Sequence, residues 1–329
     1  MTSEEKRNAK ACAVAVGLSV LFSYLDLLSL LYIIPVIVVS VLYRDGRRIL
    51  PALASGTFVV AFALVGNRGG FGTETGRLAI LVTLFIPVVL WISALIWIGL
   101  DGKRFLIRYL ALSLFVVVAS LSLLLVFSHM KDVSKVLDDF FSKTFVQVFQ
   151  GIAGTTDLDA TGNAQLTSLY HMVVQVMGAL IVPMMMTICG IDIFLALLIQ
   201  QRGSDGLTRK VMAWHLPQDL VWGFLGLWIL VMLGHFLSWS YVGMAVAINL
   251  AGFVTVLYGM QGFAILLFWL RKRHARLSAG KLFGWVLVLL LFLPGVNMIG
   301  VVALPVVGVL ETWFVFRRRD KEISYENHS

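Results

Sequence analysis

Long apolar runs alternate with short polar breaks along this chain. The runs cover 9–24, 27–43, 47–66, 77–100, 105–128, 170–200, 218–238, 241–270, 283–296 and 298–316. A helix needs roughly 20 mostly apolar residues to cross the hydrocarbon of a bilayer, and fewer where the bilayer thins. The pattern predicts an all-α fold, a polytopic transmembrane helical bundle of about ten spans. The first two runs are separated at Tyr24-Leu25-Asp26, because a joined run exceeds one crossing and would leave Asp26 in lipid. Two short spans or one bent one over 9–43 both remain open. The last two runs are separated at Pro294-Gly295, followed by Asn297, a sequence that ends a helix and turns.

Charge gives the layout a direction. With the N-terminus inside, six inner segments hold Lys6, Arg7, Lys10; Arg44, Arg47, Arg48; Lys103, Arg104, Arg108; Arg202, Arg209, Lys210; Arg271, Lys272, Arg273, Arg276, Lys281; and Arg317, Arg318, Arg319, Lys321. These are 21 of the 26 basic residues, and the outer segments keep only Arg68, Arg77, Lys131, Lys135 and Lys143. Such a separation follows the positive-inside rule, so both termini are expected in the cytoplasm and the membrane is expected to be the bacterial inner membrane. Two parts follow: a six-span bundle over 1–200 and a four-span bundle over 201–329 with a basic cytoplasmic tail.

Composition agrees with lipid as the solvent. Hydrophobic residues make up 59% and charged ones 13%, against roughly 25% charged in a soluble domain. The net charge of +8 is spread in small groups between apolar runs, which argues against nucleic acid as a partner. Cys12 and Cys189 lie within apolar runs, so neither a disulfide framework nor a metal site is expected. The first apolar run lacks the cleavage site of a secretory signal.

Residues 129–169 form the one sizeable outer segment. Val133, Val136, Leu137, Phe140, Phe141, Val148, Phe149 and Ile152 recur at helical spacing opposite Lys135, Asp138, Asp139 and Lys143. This predicts an amphipathic extracytoplasmic helix at about 131–153, packed on its own spans or lying as a lid over a site. Asp157 to Asn163 imitates the start of a calcium loop, but Ser168 stands where the closing bidentate Glu is needed, so a solvated turn is expected.

No catalytic motif is present: there is no GxxxxGK[ST] loop, HExxH, GxSxG or CxxC pair. The chain reads as a non-enzyme without cofactor. Active transport, if it occurs, would draw on a partner ATPase or an ion gradient. Ionisable and amide groups inside spans are the default functional candidates. Gln175, Asp192, Asn249 and Gln261 are the candidate ligand contacts, with helix-to-helix bonding as the plainer reading of the amides. Glu311 and Arg317 are a candidate structural pair near the inner rim, and Asp192 could pair with Arg202. His171 and His235 fall at interfacial positions. Small residues repeat along the first run as Ala9, Ala13, Gly17 and as Ala11, Ala15, Ser19, and along the eighth as Gly243, Ala247, Ala251, Thr255, Gly259. Such stripes admit close helix neighbours. The first-run alanines Ala9, Ala11, Ala13 and Ala15 are candidate docking positions for another membrane protein.

The C-terminal third resembles the YybS-like family of uncharacterised bacterial membrane proteins. The resemblance lies in Leu216-Pro217 with Trp222, in Asn249, Tyr258 and Gln261-Gly262, and in the run from Gly308 through Glu311 and Trp313 to Arg317. The family pattern favours Asp where this chain has Glu311, which keeps the carboxylate; the resemblance supplies no activity. The first 200 residues also look like the six-span substrate-binding components of energy-coupling-factor vitamin transporters. That likeness rests on the short first helices, Ile34-Pro35, the basic turn Arg44 to Arg48 and the small-residue first helix. It implies that Ala9/Ala13 or Ala11/Ala15 docks a transmembrane coupling subunit that works with ATPases; the four further spans depart from that pattern.

Two functions stand side by side on this reading. One is a small-molecule transport component that binds a solute and works with a coupling partner. The other is a non-enzymatic membrane scaffold that binds other membrane proteins. A lipid-modifying enzyme would need carboxylates or histidines converging at one depth, whereas Asp192 and Glu311 are expected inside and His171 and His235 outside.

Overall fold

A computed structural model describes residues 3–25, 27–43, 45–72, 74–129, 142, 145–148, 160–201, 205–273, 277–292, 296–314 and 316–317. They form eleven principal helices and no strand. In chain order these are α1 (Ser3–Tyr24), α2 (Ile34–Ser40), α3 (Leu50–Gly66), α4 (Glu74–Gly99), α5 (Phe105–His129), α6 (Ala160–Gln200), α7 (Gly206–Met212), α8 (Leu220–Phe236), α9 (Tyr241–Arg273), α10 (Ala279–Phe292) and α11 (Val296–Leu310). Short 3-10 turns at Leu27–Leu31, Asp45–Ile49 and Arg68–Gly72 join the early helices. Most of the expected outer helix at 131–153, with Asp26, Arg202 and the Pro294-Gly295 turn, lies outside the described residues. Phe145 is described, and its ring lies 5.7 Å from that of Tyr170 on α6.

Among the described residues, five helical stretches are long and apolar enough to cross a membrane: Arg47–Gly66, Ala79–Gly99, Phe105–Val126, Ala164–Gln200 and Tyr241–Arg273. Ser29–Ser40, Leu220–Phe236, Ala279–Leu289 and Ile299–Leu310 are apolar but shorter. Local chemistry sets many boundaries. Pro35 and Pro51 occupy the first turns of α2 and α3, where a missing N–H removes no helical bond. Gly102 turns the chain between α4 and α5 at φ +89°, a conformation that L side chains rarely adopt. Ser238 takes φ 51° after α8, and the Trp239 N–H donates back to the Gly234 carbonyl at 3.0 Å, which closes the helix end.

The chain divides into two compact units. The first comprises Met1–Ala196 with Leu230–Leu250, the second Leu197–Ile229 with Ala251–Ser329. In the first, Tyr32, Ile33, Ile37, Leu90, Trp97, Tyr109, Leu112, Met186 and Ile193 are enclosed. Trp91 lies over Gly56, where a Cβ would collide with the indole, and its Nε1–H donates to the Ala52 carbonyl at 2.8 Å. On α1, Ala15 and Ser19 are buried and Ala11 half-buried, while Ala9, Ala13 and Gly17 face outward.

In the second unit, α9 and α11 meet backbone to backbone. A Cβ on Gly262 would overlap the Leu304 carbonyl, and one on Gly308 would overlap that of Tyr258. Gly259 faces Pro305 in the same crossing. Helix α7 falls between the apolar runs; it buries Leu207 and Thr208, and the Thr208 hydroxyl accepts the Ala279 N–H at the start of α10.

Candidate functional site in the first unit

Buried amides in this molecule are committed to backbone. Asn249, on α9, accepts the Val182 N–H at 2.9 Å and donates to the Gly178 carbonyl at 2.8 Å. In a regular helix those two backbone groups, four residues apart on α6, bond to each other. Asn249 thus splices its amide into the α6 ladder one residue before Pro183, where the proline has already removed a donor. It also donates to Ala245 within α9.

Gln261 does comparable work in the second unit. Its Oε1 accepts the Leu216 N–H at 2.9 Å, in the non-helical stretch before α8, and its Nε2 donates to the Gly308 carbonyl at 3.0 Å. Gly308 lies in the last turn of α11, whose carbonyls lack helical partners. Both amides therefore have the helix-bonding role, each with its oxygen and its nitrogen engaged by backbone groups. Gln175 lies on the exposed part of α6, and its backbone carbonyl accepts the Tyr241 hydroxyl. It stands 17 residues from Asp192, about 25 Å along a helix. Within the first unit Gln175 and Asp192 are thus far apart along α6, and Gln261 belongs to the second unit.

Asp192 differs from all of them. It lies on α6, is 0% exposed, and both carboxylate oxygens lack a hydrogen-bond partner. It sits within electrostatic reach of Tyr32 and Cys189. Cys189, one turn earlier, faces the Ser93 hydroxyl on α4 at 3.7 Å. The Tyr32 hydroxyl donates to the Pro87 carbonyl at 2.5 Å, and that of Tyr109 to the Met186 carbonyl at 3.2 Å. Gly190 admits the Tyr109 ring against α6. Tyr32 and Cys189 thus lie within reach of one carboxyl group, with Ser93 and Tyr109 packed against the same helix one turn away.

No family model, curated protein or solved structure matches this chain.

Two charged clusters lie elsewhere. In the first unit Asp101 receives both Arg48 and Arg108, the latter at 3.2 Å. The Arg108 guanidinium also lies 3.9 Å from the Trp97 ring centre and donates to the Trp97 carbonyl. In the second unit Arg317 forks onto Glu311, with Nε 2.6 Å from Oε1 and Nη2 on Oε2, and its Nη1 donates to the Met212 carbonyl at the end of α7 at 2.6 Å. Arg317 and Glu311 act as an anchor between α7 and α11. His171 and His235 are exposed, each beside a neighbouring aromatic ring.

Asp192 was visible in the sequence as an acid inside an apolar run. Its hydroxyl and thiol neighbours were not, because Tyr32, Ser93 and Tyr109 come from three distant segments whose register no local pattern states.

Proposed function

We propose that this protein is a multi-pass membrane transport component, a solute-binding bundle that works with a partner protein, with about ten crossings and both termini in the cytoplasm. One observation carries the reading: Asp192 is a carboxyl group sealed in the first unit without a hydrogen bond. A structural role gives no reason to keep it, since a buried carboxylate without a partner destabilises by several kcal/mol. Ionisable groups at such positions mark solute, ion or proton pathways. Helix α6, with 41 residues, is about 62 Å long and so extends well past a hydrocarbon layer of about 30 Å. Its outward extension leaves Asp192 eight residues from the other end.

The outward Ala9, Ala13 and Gly17 face of α1 suits the close approach of a helix from a coupling subunit. That same face, with both buried amides used in packing, favours a second reading, a scaffold that binds other membrane proteins. Native mass spectrometry of the gently extracted protein separates the two. Transport predicts a retained small molecule that Asp192→Asn loses. A retained membrane protein with no small molecule, unchanged by Asp192→Asn, supports the scaffold and refutes the transport reading.

A further inference from the structure

We infer that Asp192 is a binding site for a small monovalent cation, a proton or a sodium ion, which enters and leaves the bundle at this carboxyl group. The inference rests on the transport reading of the same residue and names the ion that the site handles.

The argument is one of complementarity. A carboxylate is stabilised by donors or by positive charge. The tyrosine hydroxyls in this part of the unit spend their protons on backbone: Tyr32, within reach of Asp192, donates to Pro87, and Tyr109, beside Cys189, donates to Met186. Cys189 points its weak S–H at Ser93. What these groups have left to offer is lone pairs on oxygen and sulfur. Carboxyl and hydroxyl oxygens together make a poor cradle for a bare anion and a good one for a cation. The charged and titratable groups recorded around Asp192 are Tyr32 beside α2, Cys189 on α6 and, through Cys189, Tyr109 on α5. None of them is basic. In the first unit Arg48 and Arg108 are both engaged with Asp101. Among the described residues, no basic group is within electrostatic reach of the Asp192 carboxyl group, and both its oxygens are open to a cation.

A small ion fits better than a large cationic group. Leu90, Ile193, Ala196 and Met186 are all buried and the carboxyl group is itself wholly enclosed. Gly190 brings Tyr109 close against α6. A proton needs no added volume, and a sodium ion needs only a few oxygens.

Dicyclohexylcarbodiimide tests this on the full-length protein in nanodiscs, without knowledge of the solute. The reagent attacks buried carboxylic acids. The acid proton moves to a carbodiimide nitrogen, the carboxylate oxygen bonds to the central carbon, and acyl migration to nitrogen leaves a stable N-acylurea. Peptide mapping locates the adduct. The expected result is modification at Asp192 that falls at least about tenfold between about pH 5 and about pH 9 in choline chloride. If sodium chloride at equal ionic strength leaves that profile unchanged, the cation is a proton. If it suppresses the labelling several-fold at fixed pH, the cation is sodium. Asp192→Glu should keep the adduct at residue 192 and Asp192→Asn should lose it. The inference is overturned if residue 192 stays unmodified throughout in choline, or if its labelling responds neither to pH nor to sodium. Because no solute is involved, failure here leaves the transport reading to be judged by the retained-ligand experiment.

Discussion

Arg317 gives the clearest case of one side chain fixing several backbone segments. Donors on its Nε, Nη1 and Nη2 reach both Glu311 oxygens and the Met212 carbonyl, so the guanidinium links the end of α11 to the end of α7. Both side chains are nearly enclosed, at 5% and 4% exposure. Removing one partner from such a pair leaves an unmatched buried charge and costs about 3–5 kcal/mol, whereas replacing both by apolar groups costs far less. Arg317→Ala and Glu311→Gln should each lower the thermal midpoint in detergent by several degrees. Glu311→Leu with Arg317→Met should recover much of that loss. Equal and additive losses in the double variant would refute the pair as an anchor. Asn249, Gln261 and Gln175 show how residue type and role separate. All three are amides in apolar helices, yet Asn249 and Gln261 bridge backbone groups of other segments while Gln175 stands exposed. The difference depends on which helix each one faces. That is a property of packing register, and a single sequence does not state it.

At the scale of elements, most helices follow the apolar runs, because a helix satisfies its own backbone in lipid even where Pro87, Pro183 and Pro305 interrupt the ladder. The run over 27–43 is the exception, and its only α-helix is the seven-residue α2. The break between the runs 77–100 and 105–128, where Gly102 turns the chain, was legible; the start of α2 at Ile34 was not, because Pro35 lies within one apolar run over 27–43. Helix α7 was not legible, since seven residues with Arg209 and Lys210 carry no periodic signal. The small-residue stripe on α9 was visible, and Ala247 and Ala251 are indeed buried. Yet the tightest crossing uses Gly262 and Gly308, and Gly262 stands outside that stripe. Glycines therefore need testing one by one. Gly262→Ala would drive a methyl group into the Leu304 carbonyl, with a loss on the order of 3 kcal/mol from overpacking. Gly284→Ala on α10 meets nothing within 4 Å and should gain a few tenths from helix propensity. Thermal unfolding of the two variants side by side measures this. A tolerated Gly262→Ala would mean that α9 and α11 lie farther apart than described.

For the whole molecule the decisive question is how many helices cross. Five helical stretches have the length to do so unaided. Helices α10 and α11 have 14 and 15 residues, about 21 and 22 Å, which falls short of a hydrocarbon layer of about 30 Å unless the bilayer thins. Layouts with five and with ten crossings agree on every loop from Arg44 to Pro217 when the N-terminal helices α1 and α2 count as a pair. They part company afterwards. With five crossings, Lys281 and the run from Arg317 to Lys321 emerge outside; with ten, both return to the cytoplasm. Basic residues resist translocation when they lie in short segments close to a span. Arg271, Lys272, Arg273, Arg276 and Lys281, with the four basic residues at 317, 318, 319 and 321, would all have to lie outside in the five-crossing layout. That burden outweighs a mismatch of fractions of a kcal/mol per Å. In a background of Cys12→Ala and Cys189→Ala, a membrane-impermeant maleimide should label Asp139→Cys on intact cells. It should reach Lys210→Cys, Lys281→Cys and His328→Cys only after the membrane is opened. External labelling at 281 and 328 together would overturn the ten-crossing layout, since α8 would then not cross. It would also move the Glu311–Arg317 anchor to the outer face, so that the inner surface available to a coupling partner would end with α9.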